Sequence, residues 1–100
     1  MFAVIYRWKL KRDHEEQFAW AWDRVTRAIH SKCGSYGSRL HRCGDGLWLA
    51  YALWPDSATR DACRGADDEG VRQMQEAAEE LVETIECEVI RDLLDRGESP

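Results

Sequence analysis

The sequence predicts an α+β domain of ferredoxin-like βαββαβ topology, a four-stranded antiparallel sheet with its helices on one face. Three observations predict it. Residues 2–10 alternate with period two, residues 14–31 carry apolar side chains at helical spacing, and two short apolar runs flank Gly44-Asp45-Gly46. At 100 residues the chain has the length of one domain, read here as residues 1–95 with a polar tail over 96–100.

Taken in order, the first strand places Phe2, Val4, Tyr6, Trp8 and Leu10 on one face and Ala3, Ile5, Arg7 and Lys9 on the other. Asp13 offers an N-cap, Glu15 and Glu16 suit a first helical turn, and Phe18, Trp22, Val25 and Ile29 follow at steps of four, three and four. Trp20 lies off that stripe, beside Arg24 and Arg27. After Gly34 and Gly37, residues 38–43 and 47–54 form a hairpin around the Gly-Asp-Gly turn. The second of these strands, LWLAYALW, is apolar on both faces, so each face of the sheet must be covered there.

Pro55 and Asp56 stop that strand, and a short helix over about 57–64 ends at Gly65. A longer helix is then predicted to turn Met74, Ala77, Ala78, Leu81, Val82 and Ile85 inward and a stripe of Glu76, Glu79, Glu80 and Glu83 toward solvent. Residues 87–94 complete the fold as its last strand. Right-handed crossovers put both main helices on one sheet face and leave the other bare, and a second subunit is its simplest cover.

Composition narrows the function. A net charge of −5 provides no basic footprint for phosphates, so neither nucleic acid nor an anionic membrane surface is expected as a partner. The apolar opening is cut short by Arg7 and has no basic region before it, and a cytoplasmic location is the default reading. Cys33, Cys43, Cys63 and Cys87 are accordingly read as reduced thiols. His41 and Cys43 share a strand, and His30 and Cys33 a helix end, yet neither pair has a CxxC partner or a carboxylate at set spacing, and no metal site is expected. No phosphate loop, Ser-His-Asp arrangement or dinucleotide fingerprint occurs.

The opening AVIYRWKLK, the aromatic-studded first helix, the GSYGSRLHR entry to the hairpin and the YALWPDSA end of the third strand resemble the antibiotic biosynthesis monooxygenase domain family, of the dimeric α+β barrel superfamily. The resemblance implies a homodimer joined through sheet faces, with a ligand pocket between sheet and helices. It also implies, as one family activity, oxidation of phenols to quinones by molecular oxygen without flavin, haem or metal. Where the polyketide-oxidising members carry an Asn and, four residues on, a Trp, this chain has Ala50 and Trp54. Where the haem-degrading members carry a strand Asn, it has Tyr6; their helical Trp falls near Cys63, and no His follows His41 to ligate iron.

The candidate site follows. Trp48, Ala50, Ala52 and Trp54 share one row of the third strand, where large rings flanking small residues make a flat floor for an aromatic ligand, with Tyr6 or Trp8 as a wall. His41 and Tyr6 are the candidate bases, an imidazole being suited to taking a proton from a phenol. The same residues also suit ordinary core packing, and the competing function is a dimeric binding module that holds a small molecule without turnover.

Overall fold

The computed structural model describes residues 1–94; the expected polar tail lies outside them. Its elements run β1 (Phe2–Leu10), α1 (Glu15–Cys33), β2 (Gly37–Gly44), β3 (Leu47–Trp54), α2 (Ser57–Ala62), α3 (Asp68–Ala77) and β4 (Ala78–Glu88). All neighbours in the sheet are antiparallel, in the order β2-β3-β1-β4, so the first strand is central, as the βαββαβ order requires. No helix among the described residues is long and apolar enough to cross a membrane.

The period-two pattern of β1 is realised directly. Val4, Trp8 and Leu10 are buried beneath the helices, as are Trp48, Ala50 and Trp54 from β3. Helix α1 supplies Phe18, Ala21 and Val25 at steps of three and four. Phe18 fills the centre of the core, meeting Trp8 edge-on at 5.0 Å and Trp48 at 6.1 Å between ring centroids. Ala50 is fully buried in this cluster, its small side chain leaving room for the three rings. Asp13 does not cap α1. It takes a left-handed φ of 66° and turns the chain, and His14 stands at the N-cap without a side-chain cap bond.

The turn joining β2 and β3 has Asp45 at φ 52° and Gly46 at φ 75°, the paired positive angles of a tight hairpin turn. Just inside it the register slips. Gly44 pairs with Leu47, but Arg42 pairs with Trp48 and His41 with Leu49, which leaves Cys43 as an extra, unpaired residue. Because side chains alternate with period two, that single residue sends His41 to the sheet face away from the helices.

The C-terminal third departs from the sequence reading. The predicted long helix stops at Ala77, and Ala78 is already extended at φ −94°, ψ 137°. From there β4 pairs along the free edge of β1, Ala78 opposite Leu10 and Glu88 opposite Phe2, with two register shifts. The segment expected as a helix fits a strand as well: Val82 and Ile85 of the inward set, and Thr84 between them, are β-branched, and β1 has a whole row of backbone groups to satisfy on this side. Residues 89–94 form no strand. Of the acidic stripe, Glu76 stays on α3, while Glu79, Glu80 and Glu83 lie on the sheet edge, where Glu83 pairs with Arg7 and the nearby Glu86 with Arg60; charge of this kind disfavours pairing with another edge.

The cysteines are also corrected. Helix α2 lies against the end of α1 and brings Cys33 and Cys63 to a Cα separation of 5.4 Å, where they form a disulfide; Cys43 and Cys87 remain thiols. The segment that follows Cys63 is tied to α1 twice more. Asp67 caps α3 through the Gly70 amide and takes a two-pronged ion pair from Arg24, and Lys32 donates to the Ala66 carbonyl. These bonds, the Gly70 amide first and Arg24 next, hold the Asp67 carboxyl below the usual range.

Candidate functional site

A cavity of about 420 Å³ opens between the helix-side face of the sheet and the helices α1 and α3. That volume suits a small organic ligand. Its floor is Ala52 and Ser38, where two short side chains leave the sheet uncovered. From β1 come Tyr6 and Trp8, stacked on each other at 5.5 Å with their planes 15° apart. Trp54 closes the sheet side and Trp22 the α1 side, with Val25 and Ile29 continuing the α1 wall. Val71 and Met74 from α3 face them.

The α1–α3 wall is held close by Gly70. A Cβ there would come within 2.6 Å of Val25 Cγ2 and 2.7 Å of Asp67 Oδ2, so only glycine lets α3 approach α1 at this distance. The same wall is pinned by the disulfide and by the Arg24–Asp67 pair.

Several polar groups on the lining are already occupied. Ser38 donates to the Tyr51 carbonyl, and Ser35 accepts from the Gly37 amide. The Tyr6 hydroxyl accepts from Arg60 at 3.5 Å, and Arg60 also pairs with Glu86. Burial works against the Arg60 charge, but the contacts with Tyr6, Glu86 and Asp61 outweigh it and raise the guanidinium pKa. Trp54 is different: the residue is 4% exposed and its indole Nε1 is buried with no hydrogen-bond partner. An unmatched buried donor of this kind costs about 1–3 kcal/mol.

Of the six residues singled out in the sequence, the structure brings three to the cavity: Tyr6, Trp8 and Trp54. Trp48 and Ala50 share the helix-side face but belong to the closed core under Phe18, where the Trp48 indole N–H donates to Glu15 at 2.9 Å. They line nothing. His41 is on the opposite face, stacked on Tyr51 at 5.5 Å, with its Nε2 shielded and unpartnered, and it reaches no group of the cavity. With the bulge at Cys43 pairing it with Leu49, His41, the expected base, is not among the residues lining this cavity. Glu79 and Glu80, read from sequence as a solvated helix face, lie on the cavity lining where α3 runs into β4, together with Gln75. No group of three or more His, Cys, Asp or Glu side chains suited to a metal ion occurs among the described residues.

No family model matches the sequence, and no curated protein matches it. Solved structures do. SnoaB, a cofactor-independent oxygenase from Streptomyces nogalater, superposes with a TM-score of 0.76 at 14% identity, over 94% of this chain and 97% of that one. A crystal structure of an antibiotic biosynthesis monooxygenase gives a TM-score of 0.74 at 13% identity, covering 91% of this chain and all of the other (100%). Rv0793 from Mycobacterium tuberculosis gives 0.72 at 13% identity over 93% and 98% of the two chains. The class defined by fold is thus the α+β architecture of the antibiotic biosynthesis monooxygenases. Within it, this chain is similar to SnoaB along nearly its whole length.

Proposed function

We propose that the chain binds a small planar aromatic or quinone-like molecule in the cavity between sheet and helices and oxidises it with molecular oxygen, without flavin, haem or metal. The observation that carries the reading is the cavity itself: four aromatic side chains, Tyr6, Trp8, Trp22 and Trp54, around a hollow of ligand size, with an indole N–H that lacks an acceptor. A ring carbonyl or phenolic oxygen supplies that acceptor. The likeness in fold to a cofactor-independent oxygenase supports the choice of reaction.

For an anthrone the chemistry balances as follows. The Tyr6 oxygen, with the Arg60 guanidinium beside it, takes a proton from the ring methylene as its own hydroxyl proton passes to solvent. The resulting carbanion passes one electron to oxygen, and the two radicals combine to form a C–O bond. Loss of water then breaks the O–O bond and leaves a ring carbonyl, so one oxygen atom enters the quinone and the other leaves as water with both methylene hydrogens. The protein contributes the base, the orientation of the ring and the exclusion of solvent.

The test is oxygen uptake by metal-free protein with anthrone, beside Tyr6→Phe and His41→Ala. Loss of a positioned base lowers the rate about 10²–10⁴-fold, so Tyr6→Phe should fall by that order while His41→Ala keeps its rate. A second reading, binding without turnover, is favoured by one observation: Ala50, at the position where the resemblance places an Asn, is fully buried and brings no polar group to the cavity. Anthrone that binds but consumes oxygen no faster than in buffer establishes that second reading.

The open sheet face belongs to the same proposal. Ile5, Leu47, Leu49 and Leu53 lie on it beside His41, whose Nε2 finds no partner within the chain. A second copy of the chain, face to face, covers these groups, and a stable pair of this kind buries roughly 1,500 Å² or more.

A further inference from the structure

We infer that the Cys33–Cys63 bridge is a reducible tether that holds Arg60 against the Tyr6 hydroxyl, so that the redox state of two cysteines outside the cavity sets the surroundings of a residue inside it. Its effect on the reaction rests on the proposed function above; the tether itself rests on the packing of α2. Helix α2, SATRDA, has six residues and buries none of them. A helix that short is marginal without a packed face. From Pro55 to Gly65 no residue is buried, and among the described residues every hydrogen bond or ion pair from α2 to another element comes from Arg60, which meets Glu86 and the Tyr6 hydroxyl.

The flanking anchors are Trp54, which is buried, and Ala66, whose carbonyl accepts from Lys32. Between them the bridge is the covalent tie to α1, just beyond the end of α2. Both cysteines are half-buried rather than enclosed in the core, and bridges open to solvent are the more readily reduced. A dithiol opens such a bridge in two steps. One of its thiolates attacks a bridge sulfur, breaks the S–S bond and forms a mixed disulfide, and its second thiolate then displaces the cysteine still bound. Two electrons and two protons pass to Cys33 and Cys63, which end as thiols, and the dithiol leaves as a cyclic disulfide. With the bridge open, an ion pair at the surface adds little against the entropy of a free segment over 55–65. Helix α2 then leaves the sheet, and the guanidinium leaves Tyr6.

Labelling of guanidinium groups with phenylglyoxal, read by peptide mass spectrometry, tests this on the bridged protein, on protein reduced with dithiothreitol and alkylated, and on Cys33→Ser/Cys63→Ser. The Arg60 side chain is 25% exposed against 71% for Arg42, while Arg7, in a comparable pair with Glu83, is 38% exposed. Opening the bridge should speed labelling of Arg60 about threefold or more, toward the rate of Arg42, and leave Arg7 unchanged. Equal labelling of Arg60 with the bridge closed and open overturns the inference. So does a parallel rise at Arg7 and Arg60, because the bridge then stabilises the fold as a whole. Oxygen uptake with anthrone is the second arm. The open forms should lose about tenfold in rate, as Arg60→Gln should, and opening the bridge in Arg60→Gln should cost nothing further. Protein that oxidises anthrone equally fast in both states, or an Arg60→Gln variant that loses as much on opening as the wild type, overturns the inference and leaves the proposed reaction standing. If no form consumes oxygen, the proposed reaction fails, and the labelling of Arg60 alone decides whether the bridge is its tether.

Discussion

At the scale of single residues, the site turns on positions that differ by one step along a strand. Tyr6, Trp8 and Trp54 reach the cavity because strand parity, visible in the alternation of residues 2–10 and 47–54, puts them on the helix side. His41 was not legible in the same way. A regular hairpin closing on Asp45-Gly46 would pair it with Ala50, on the cavity side, whereas the extra residue Cys43 pairs it with Leu49. Nothing in the composition of RCGDG marks a bulge.

Gly70 is the other decisive single residue, and it carries a prediction. Gly70→Ala places a methyl group inside contact distance of Val25 and Asp67, so it should destabilise the protein by about 1–3 kcal/mol in urea unfolding, despite the better helix propensity of alanine. Added to a Val25→Ala background it should cost less, because the nearest clashing atom is gone. Equal costs in both backgrounds would remove the argument that Gly70 sets the spacing of α1 and α3.

At the scale of elements, β1, α1 and the hairpin were read correctly because each has one period and clear ends. The α3–β4 boundary was not, since Met74 to Ile85 satisfies a helical stripe while no Gly or Pro marks the change at Ala78. Only the vacant edge of β1 decides it, and that is a long-range demand. The consequence reached the site, because Glu79 and Glu80 join the lining only as part of β4.

Two predictions belong to the α1–α3 wall. The Cys33–Cys63 bridge spans 30 residues, and closing such a loop removes unfolded-chain entropy worth about 3.6 kcal/mol on the chain-entropy account. Cys33→Ser/Cys63→Ser, or reduction, should lower the unfolding free energy by that order, and identical denaturation curves with and without reductant would count against the bridge. The Asp67 carboxyl titrates below its ordinary value of 3.8, so its contribution is complete above the usual carboxylate range and is lost as pH falls through the depressed folded value. Asp67→Asn keeps a capping oxygen but no charge. The stability gap between wild type and this variant should be widest near neutrality and close in acid, and a gap constant down to pH 2 would show that charge is not involved.

At the scale of the whole molecule, the two sheet faces have different fates. One is filled by helices and a cavity; the other carries Ile5, Leu47, Leu49 and Leu53 around the Arg7–Glu83 pair. Sedimentation at micromolar concentration should give about twice the chain mass of 11.6 kDa, and Leu49→Asp should shift the species toward that mass itself by placing a charge in the joint. A wild-type protein that sediments as one chain would require another cover for the apolar strand β3.

The bridge between Cys33 and Cys63 also alters what a broken backbone means. The chain between them forms a covalent ring that contains β2, the exposed Gly44-Asp45 corner, β3 and α2. A protease that cuts at that corner opens the ring without separating any part of the protein. The nicked molecule keeps the mass of the whole, plus one water, and falls into two fragments only when a reductant is added.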